Sequence, residues 1–166
     1  MDSCDEHRAD FQQHLVEQAP DAIIFVDSDG LVRLWNDAAE RIFGYKQADV
    51  LGRGLDVIIP ETLRTAHENG FRRAIDSGVT KYAGKAMTTR SLHASGRKLY
   101  VDLSFSILKD GTGKVLGALA FARDATETYA ENRALKSKVV QLETELQRRG
   151  PCKDTSDTVA EGARKS

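Results

Sequence analysis

No apolar run in the 166-residue chain approaches the roughly 20 residues that cross a bilayer, so no spanning helix is expected. The N-terminal stretch from Met1 to Arg8 is polar and acidic and lacks the apolar core of a signal peptide. Cysteine is scarce. Cys4 and Cys152 sit in opposite polar tails, which builds neither a disulfide framework nor a zinc site and leaves two reduced, exposed thiols as the expectation. Charge of one sign is also lacking. Lysine and arginine number 24 against 25 aspartates and glutamates, so no global basic field is available to hold nucleic acid or an anionic membrane. There is no Ser-His-Asp order, no Gly-rich phosphate loop and no pair of carboxylates in a pocket-forming context, and an enzyme is not expected. A soluble cytoplasmic protein follows, with no nucleic acid and no membrane among its partners.

The length suits one compact domain with appendages. Residues 1–19 read as a sparse amphipathic helix around Phe11, Leu15 and Val16, closed by Pro20 and Asp21. Residues 20–124 form the domain proper. Ala22–Val26 and Leu31–Trp35 are β-branched and aromatic runs on either side of a turn carrying Asp29-Gly30, a hairpin signal. Asn36-Asp37 caps a short helix, Ala38–Phe43, that Gly44 terminates. Short turns around Gly52 and Gly54 lead to a longer helix. Three strands follow: Lys81–His93, Lys98–Leu108 and Val115–Arg123. The first alternates loosely, and the second alternates cleanly through Leu99, Val101, Leu103, Phe105 and Ile107. The fold class is therefore α+β, with a five-stranded antiparallel sheet carrying its helices on one face. Residues 125–149 lack Gly and Pro until Gly150, and place Leu135, Val139, Leu142 and Leu146 at spacings of 4, 3 and 4. That is a coiled-coil seam, and it favours a homodimer over packing back on the same domain. Residues 150–166 form a polar, disordered tail.

The long helix carries the candidate site. Pro60 can occupy its first turn, and Glu61 suits its positive end. Continued to Asp76, it aligns Leu63, His67, Phe71, Ala74 and Ile75 along one stripe. One histidine thus sits in an otherwise apolar face. An imidazole there either hydrogen-bonds a neighbour or ligates something, because leaving it unpaired in apolar surroundings is costly.

Three stretches resemble PAS domains: Asp21–Gly30, Trp35–Tyr45, and Phe121–Thr126 leading into the terminal helix. The resemblance covers about residues 11 to 130 and implies a sensory module with haem, flavin, a small acid or nothing inside. Ile59–His67 is similar to the matching helix of haem-binding PAS sensors, of the oxygen-sensing histidine kinase and haem-regulated cyclic-di-GMP phosphodiesterase types, and Ala38-Ala39-Glu40 resembles them too. It implies His67 as proximal ligand of haem b iron, a standard axial choice for neutral imidazole. Leu63 and Phe71, one turn on either side, would then wall the porphyrin. Gly70 would let the ring approach the backbone, or would relieve crowding against the sheet. Arg73 matches a propionate-pairing position of the family, and Lys81 is a second cation.

Met87 falls where oxygen-binding members carry an arginine. This departure implies weaker oxygen binding relative to CO, and a thioether that can be the sixth iron ligand. Arg90 substitutes only if a bulge shifts the strand register. Leu103 and Phe105 would line the distal side, while His7, His14 and His93 read as bystanders. The expected function is a gas or redox sensor for O2, CO or NO. It signals through the paired helices of residues 125–149 to a separate histidine kinase or other output protein, unless the chain is a fragment. The alternatives are a non-covalent FAD redox sensor and a cofactor-free dimerisation or docking module. A cysteinyl-flavin photoreceptor is disfavoured because both cysteines lie in the tails.

Overall fold

The computed structural model describes residues 3–82 and 84–149; for residues 3–6 it describes the backbone alone. Cys152 and the expected tail lie outside the described residues. Element order is α1 (Ser3–Glu17), β1 (Ala22–Asp27), β2 (Val32–Trp35), α2 (Asp37–Phe43), α3 (Gln47–Val50), a 3-10 turn (Leu55–Val57), α4 (Glu61–Ser77), β3 (Met87–Leu92), β4 (Lys98–Lys109), β5 (Val115–Asp124) and α5 (Thr126–Arg149). The chain divides into two units at Tyr129/Ala130.

The five strands form one antiparallel sheet in the order β2-β1-β5-β4-β3. The first and last strands of the sequence therefore pair at its centre, Ala22 opposite Ala122 and Ile24 opposite Ala120. The β1–β2 turn forms because one oxygen of Asp27 accepts the N–H groups of Asp29 and Leu31 at 3.0 and 2.9 Å. Gly44 ends α2 in the left-handed conformation at φ 78°, and the His93 ring lies where a Cβ would stand. His93 is thus a packing residue as well as a turn residue, its Nδ1 lying 2.9 Å from Ser95 Oγ. One expectation needs correction: the strand expected over Lys81–His93 is confined to Met87–Leu92. Lys81, Tyr82 and Gly84 lie in turns, with Lys85 N donating to Tyr82 O at 3.0 Å, and Gly84-Lys85 offer no alternating apolar residues to pair.

The core spreads over β1, β2, β4, β5 and α2. Trp35, Phe43, Val32, Val50, Leu99, Val101, Ile24 and Ala39 are buried together, with the Trp35 and Phe43 rings 5.3 Å apart. Asn36 is fully buried and completely bonded. Its Oδ1 accepts from Ile23 N and Ala39 N at 2.9 and 3.0 Å, and its Nδ2 donates to the carbonyls of Val16 and Asp21 at 2.9 and 3.1 Å. One side chain thereby joins the end of α1, the start of β1 and the cap of α2.

The same region joins the two ends of the domain. Arg123 at the end of β5 donates Nε and Nη2 to the two oxygens of Asp21, both at 2.8 Å. The next residue, Asp124, caps α5 by accepting Thr126 N at 2.9 Å. Ala125 N donates to Tyr100 O at 2.8 Å, and the Tyr100 and Tyr129 rings stack at 3.6 Å. The Arg123 hydrogen bonds, aided by its charge, hold the Asp21 carboxyl below its ordinary value of 3.8.

Two outcomes follow. Asn36→Ala removes a cap and takes away the side-chain partners of two part-buried carbonyls and of the Ile23 N–H, so it should cost roughly 2–4 kcal/mol by urea denaturation; a loss under about 1 kcal/mol would sink the account of this residue. Because the folded Asp21 pKa is depressed, its contribution is present above the ordinary value and vanishes as pH falls through the folded one. The stability gap between wild type and Asp21→Asn should therefore close as pH falls from neutrality to well below the ordinary 3.8 of the carboxyl. A gap that stays constant over that window contradicts the ion pair.

Candidate functional site

Helix α4 is held at its two ends. Just before it, the Ile58 carbonyl accepts Ser91 Oγ at 2.6 Å and Leu92 N at 2.9 Å, which ties the helix start to β3. Arg64 reinforces that end by donating to the carbonyls of Ile59 and Asp56. At the other end Gly78 is buried at φ 64°, and a Cβ there would come within 2.8 Å of Lys109 Nζ and 3.4 Å of Val115 Cγ2. Between these anchors no residue of α4 is buried. Leu63, Phe71, Ala74 and Ile75 are half-buried, with Phe71 packed against the core and near Gly30 in the first hairpin.

His67 stands in the middle of that span. Its ring is accessible to solvent, and among the described residues no protein group hydrogen-bonds it. Surrounding protein atoms nevertheless displace enough water to lower its pKa, against the opposing pull of the Asp56 and Glu68 charges. The ring is neutral at pH 7 and keeps a free lone pair. A hydrogen-bonded core histidine, the other expectation for this position, is not what the structure contains.

The inner face of the sheet is unevenly covered. Along β4, Leu99 and Val101 are buried, whereas Leu103, Phe105 and Ile107 are half-buried. These three oppose Ala122, Ala120 and Ala118 on β5, so the centre of the sheet carries only methyl groups where it meets β4. Met87, half-buried and the chain's one methionine beyond Met1, pairs with Leu103 across β3–β4. Met87, Leu103 and Phe105 thus share one face of this open half. Tyr82 joins them from the α4–β3 turn, its ring edge-on to Phe105 at 5.6 Å and Lys81 Nζ 4.7 Å from its centroid.

Sequence reasoning missed Tyr82, the alanine stripe of β5 and the Ser91–Ile58 tie. An aromatic inside an otherwise polar loop was the signal for the first. Other residues stand apart from the opening. Arg90 is exposed and the β3–β4 register is unbroken, so no bulge turns it inward. Gly70 is exposed and an added Cβ would meet nothing within 4 Å, which removes crowding against the sheet as its reason and gives no sign of a close approach. Arg73 is exposed and donates Nε to Asn69 O at 3.1 Å. Lys81 is exposed above Tyr82. His14 lies on α1 beside the Asp10 carbonyl, and His7 is on the same helix. No group of three or more His, Cys, Asp or Glu side chains converges on a metal position among the described residues.

The family model described as PAS fold matches residues 16–130, well over half of the chain. The chain belongs to the PAS family. Among its curated relatives, the oxygen sensor protein DosP of Escherichia coli K12 is 27% identical over 128 residues, covering 77% of this chain and 16% of that protein. The sensor protein FixL of Bradyrhizobium diazoefficiens is 26% identical over 131 residues, covering 77% of this chain and 26% of that one. The chain therefore spans well under a third of either. Among solved structures, an RNA-binding light-oxygen-voltage receptor superposes with a TM-score of 0.62 at 23% identity, covering 80% of this chain and 37% of that chain. A PAS domain from Colwellia psychrerythraea gives 0.61 at 19% identity, covering 72% and 98%. No helix among the described residues is long and apolar enough to cross a membrane.

Proposed function

We propose that this PAS domain is a gas or redox sensor that holds haem b through His67. The observation that carries the reading is an imidazole, neutral and with no hydrogen-bonding partner among the described residues, in the middle of a helix none of whose side chains is fully buried. A lone histidine is a poor site for a bare metal ion, and no cluster stands beside it to complete one. It is a sufficient protein ligand for iron already held by a macrocycle. Bound haem supplies reversible capture of O2, CO or NO and a one-electron redox change.

The chain's own residues would do the rest. Leu63 and Phe71 flank His67 on α4 and give the ring apolar walls. Arg73 keeps its remaining guanidinium nitrogens available for a propionate. Leu103 and Phe105 would exclude water on the far side, and the Met87 thioether would be a second candidate ligand for the iron. The relative DosP is an oxygen sensor protein, which supports the same class of stimulus. An FAD redox sensor and a cofactor-free docking module are the competing readings, and neither needs an unpartnered imidazole at position 67. The role is sensory and non-enzymatic, in the cytoplasm, with neither nucleic acid nor membrane as partner.

Output would leave through α5. Leu135, Val139, Leu142 and Leu146 are 52–68% exposed along one stripe, which a second copy of residues 125–149 would cover in a homodimer. A shift at the distal strands reaches Arg123, Asp124 and the first turn of α5, and a change in the pairing of the two helices would pass it to a separate histidine kinase or other output protein.

With haem added to the purified chain, His67→Ala should abolish the Soret band while His93→Ala leaves it intact. A band that survives in His67→Ala with unchanged intensity refutes the ligand assignment. Met87→Ala should convert a six-coordinate low-spin ferrous spectrum into a five-coordinate one; an unaltered spectrum removes Met87 as ligand and leaves His67 standing.

A further inference from the structure

The far side of the proposed haem site lacks the arginine donor expected of an oxygen binder, and the strands offer little in its place. Met87, Leu103 and Phe105 donate no hydrogen bond. Thr89 carries a hydroxyl, but it pairs with Val101, which is buried in the closed half of the sheet. Tyr82 is different. It is half-buried, its ring contacts Phe105 at the open half, and among the described residues no protein group bonds its hydroxyl. A phenol usually finds a partner when it is drawn into apolar surroundings. Here the aromatic body is engaged and the polar tip is left over. The Lys81 ammonium lies 4.7 Å from the ring centroid and helps hold the ring in place.

We infer that Tyr82 is the ligand-discriminating residue of this site, donating its O–H to dioxygen held beside Met87, Leu103 and Phe105. The inference rests on the haem reading above. Dioxygen gains partial negative charge on binding a ferrous centre, and carbon monoxide gains very little. A single donor in a water-poor site therefore holds the first far more than the second. This reverses the ranking expected from the missing arginine: a tyrosine from the preceding turn replaces a side chain that the strand does not supply.

The test compares O2 and CO dissociation from the haem-loaded full chain with the Tyr82→Phe and Thr89→Val variants. Tyr82→Phe keeps the ring on Phe105 and deletes only the donor. It should speed O2 release at least about tenfold, change CO release less than about twofold, and raise the C–O stretching frequency of the CO adduct. Thr89→Val should change none of these. An unaltered O2-to-CO ratio in Tyr82→Phe with a normal Soret band overturns this inference alone, as does an effect confined to Thr89→Val. A wild-type chain that develops no Soret band overturns the haem reading and this inference together.

Discussion

Two carbonyl bonds and one buried glycine decide what this domain can present to a ligand. Ser91 and Leu92 both donate to the Ile58 carbonyl and fix where α4 begins, and the seat of Gly78 against Val115 and Lys109 fixes where it ends. A helix of 17 residues, about 25 Å long, thereby runs between two attachments, with Phe71 packed against the core along the way. Its middle contributes no buried side chain, an arrangement that wastes apolar stripe unless something else covers it. The alanines of β5 complete the effect from the other side. Larger residues at 118, 120 and 122 would crowd the centre of the sheet, where Ala122 already lies in the core.

The closed half of the molecule provides the rigidity that the open half lacks. Trp35, Phe43 and the fully bonded Asn36 lock β1, β2 and α2 around one core. That core also receives both ends of the domain. Asn36 holds the end of α1, and Asp21 holds Arg123 beside the start of α5. The chain enters and leaves at neighbouring strands, so a displacement of β4 and β5 cannot occur without reaching the first turn of α5. The Tyr100–Tyr129 stack and the Ala125–Tyr100 bond make that connection stiff. In a family of sensory modules, such coupling is the physical requirement for sending a signal outward.

Much of this was legible in the residues. The first hairpin, the Asn36 cap, the Gly44 stop and the clean alternation of β4 announce themselves through turn chemistry and period, which are local. The long helix was legible for the same reason, and so was the exceptional position of His67 on its apolar stripe. What could not be read was whether that stripe would be buried. Periodicity reports which side chains share a face and is silent on what lies opposite. The alanines of β5 matter only because they fall between Ile24 and Phe105 in the sheet, a pairing across about a hundred residues of sequence. Tyr82 escaped notice because its loop was taken for strand, and Gly70 was given two reasons, neither of which its open surroundings support.

The central claim is that one accessible imidazole on α4 gives this domain a specific place for haem. Titrating the purified chain with ferric haem and following the Soret absorbance tests it most directly. The account predicts a sharp break at one haem per chain, with a band position characteristic of histidine ligation. A response that climbs without saturation, or a protein that stays colourless after separation from excess haem, contradicts it.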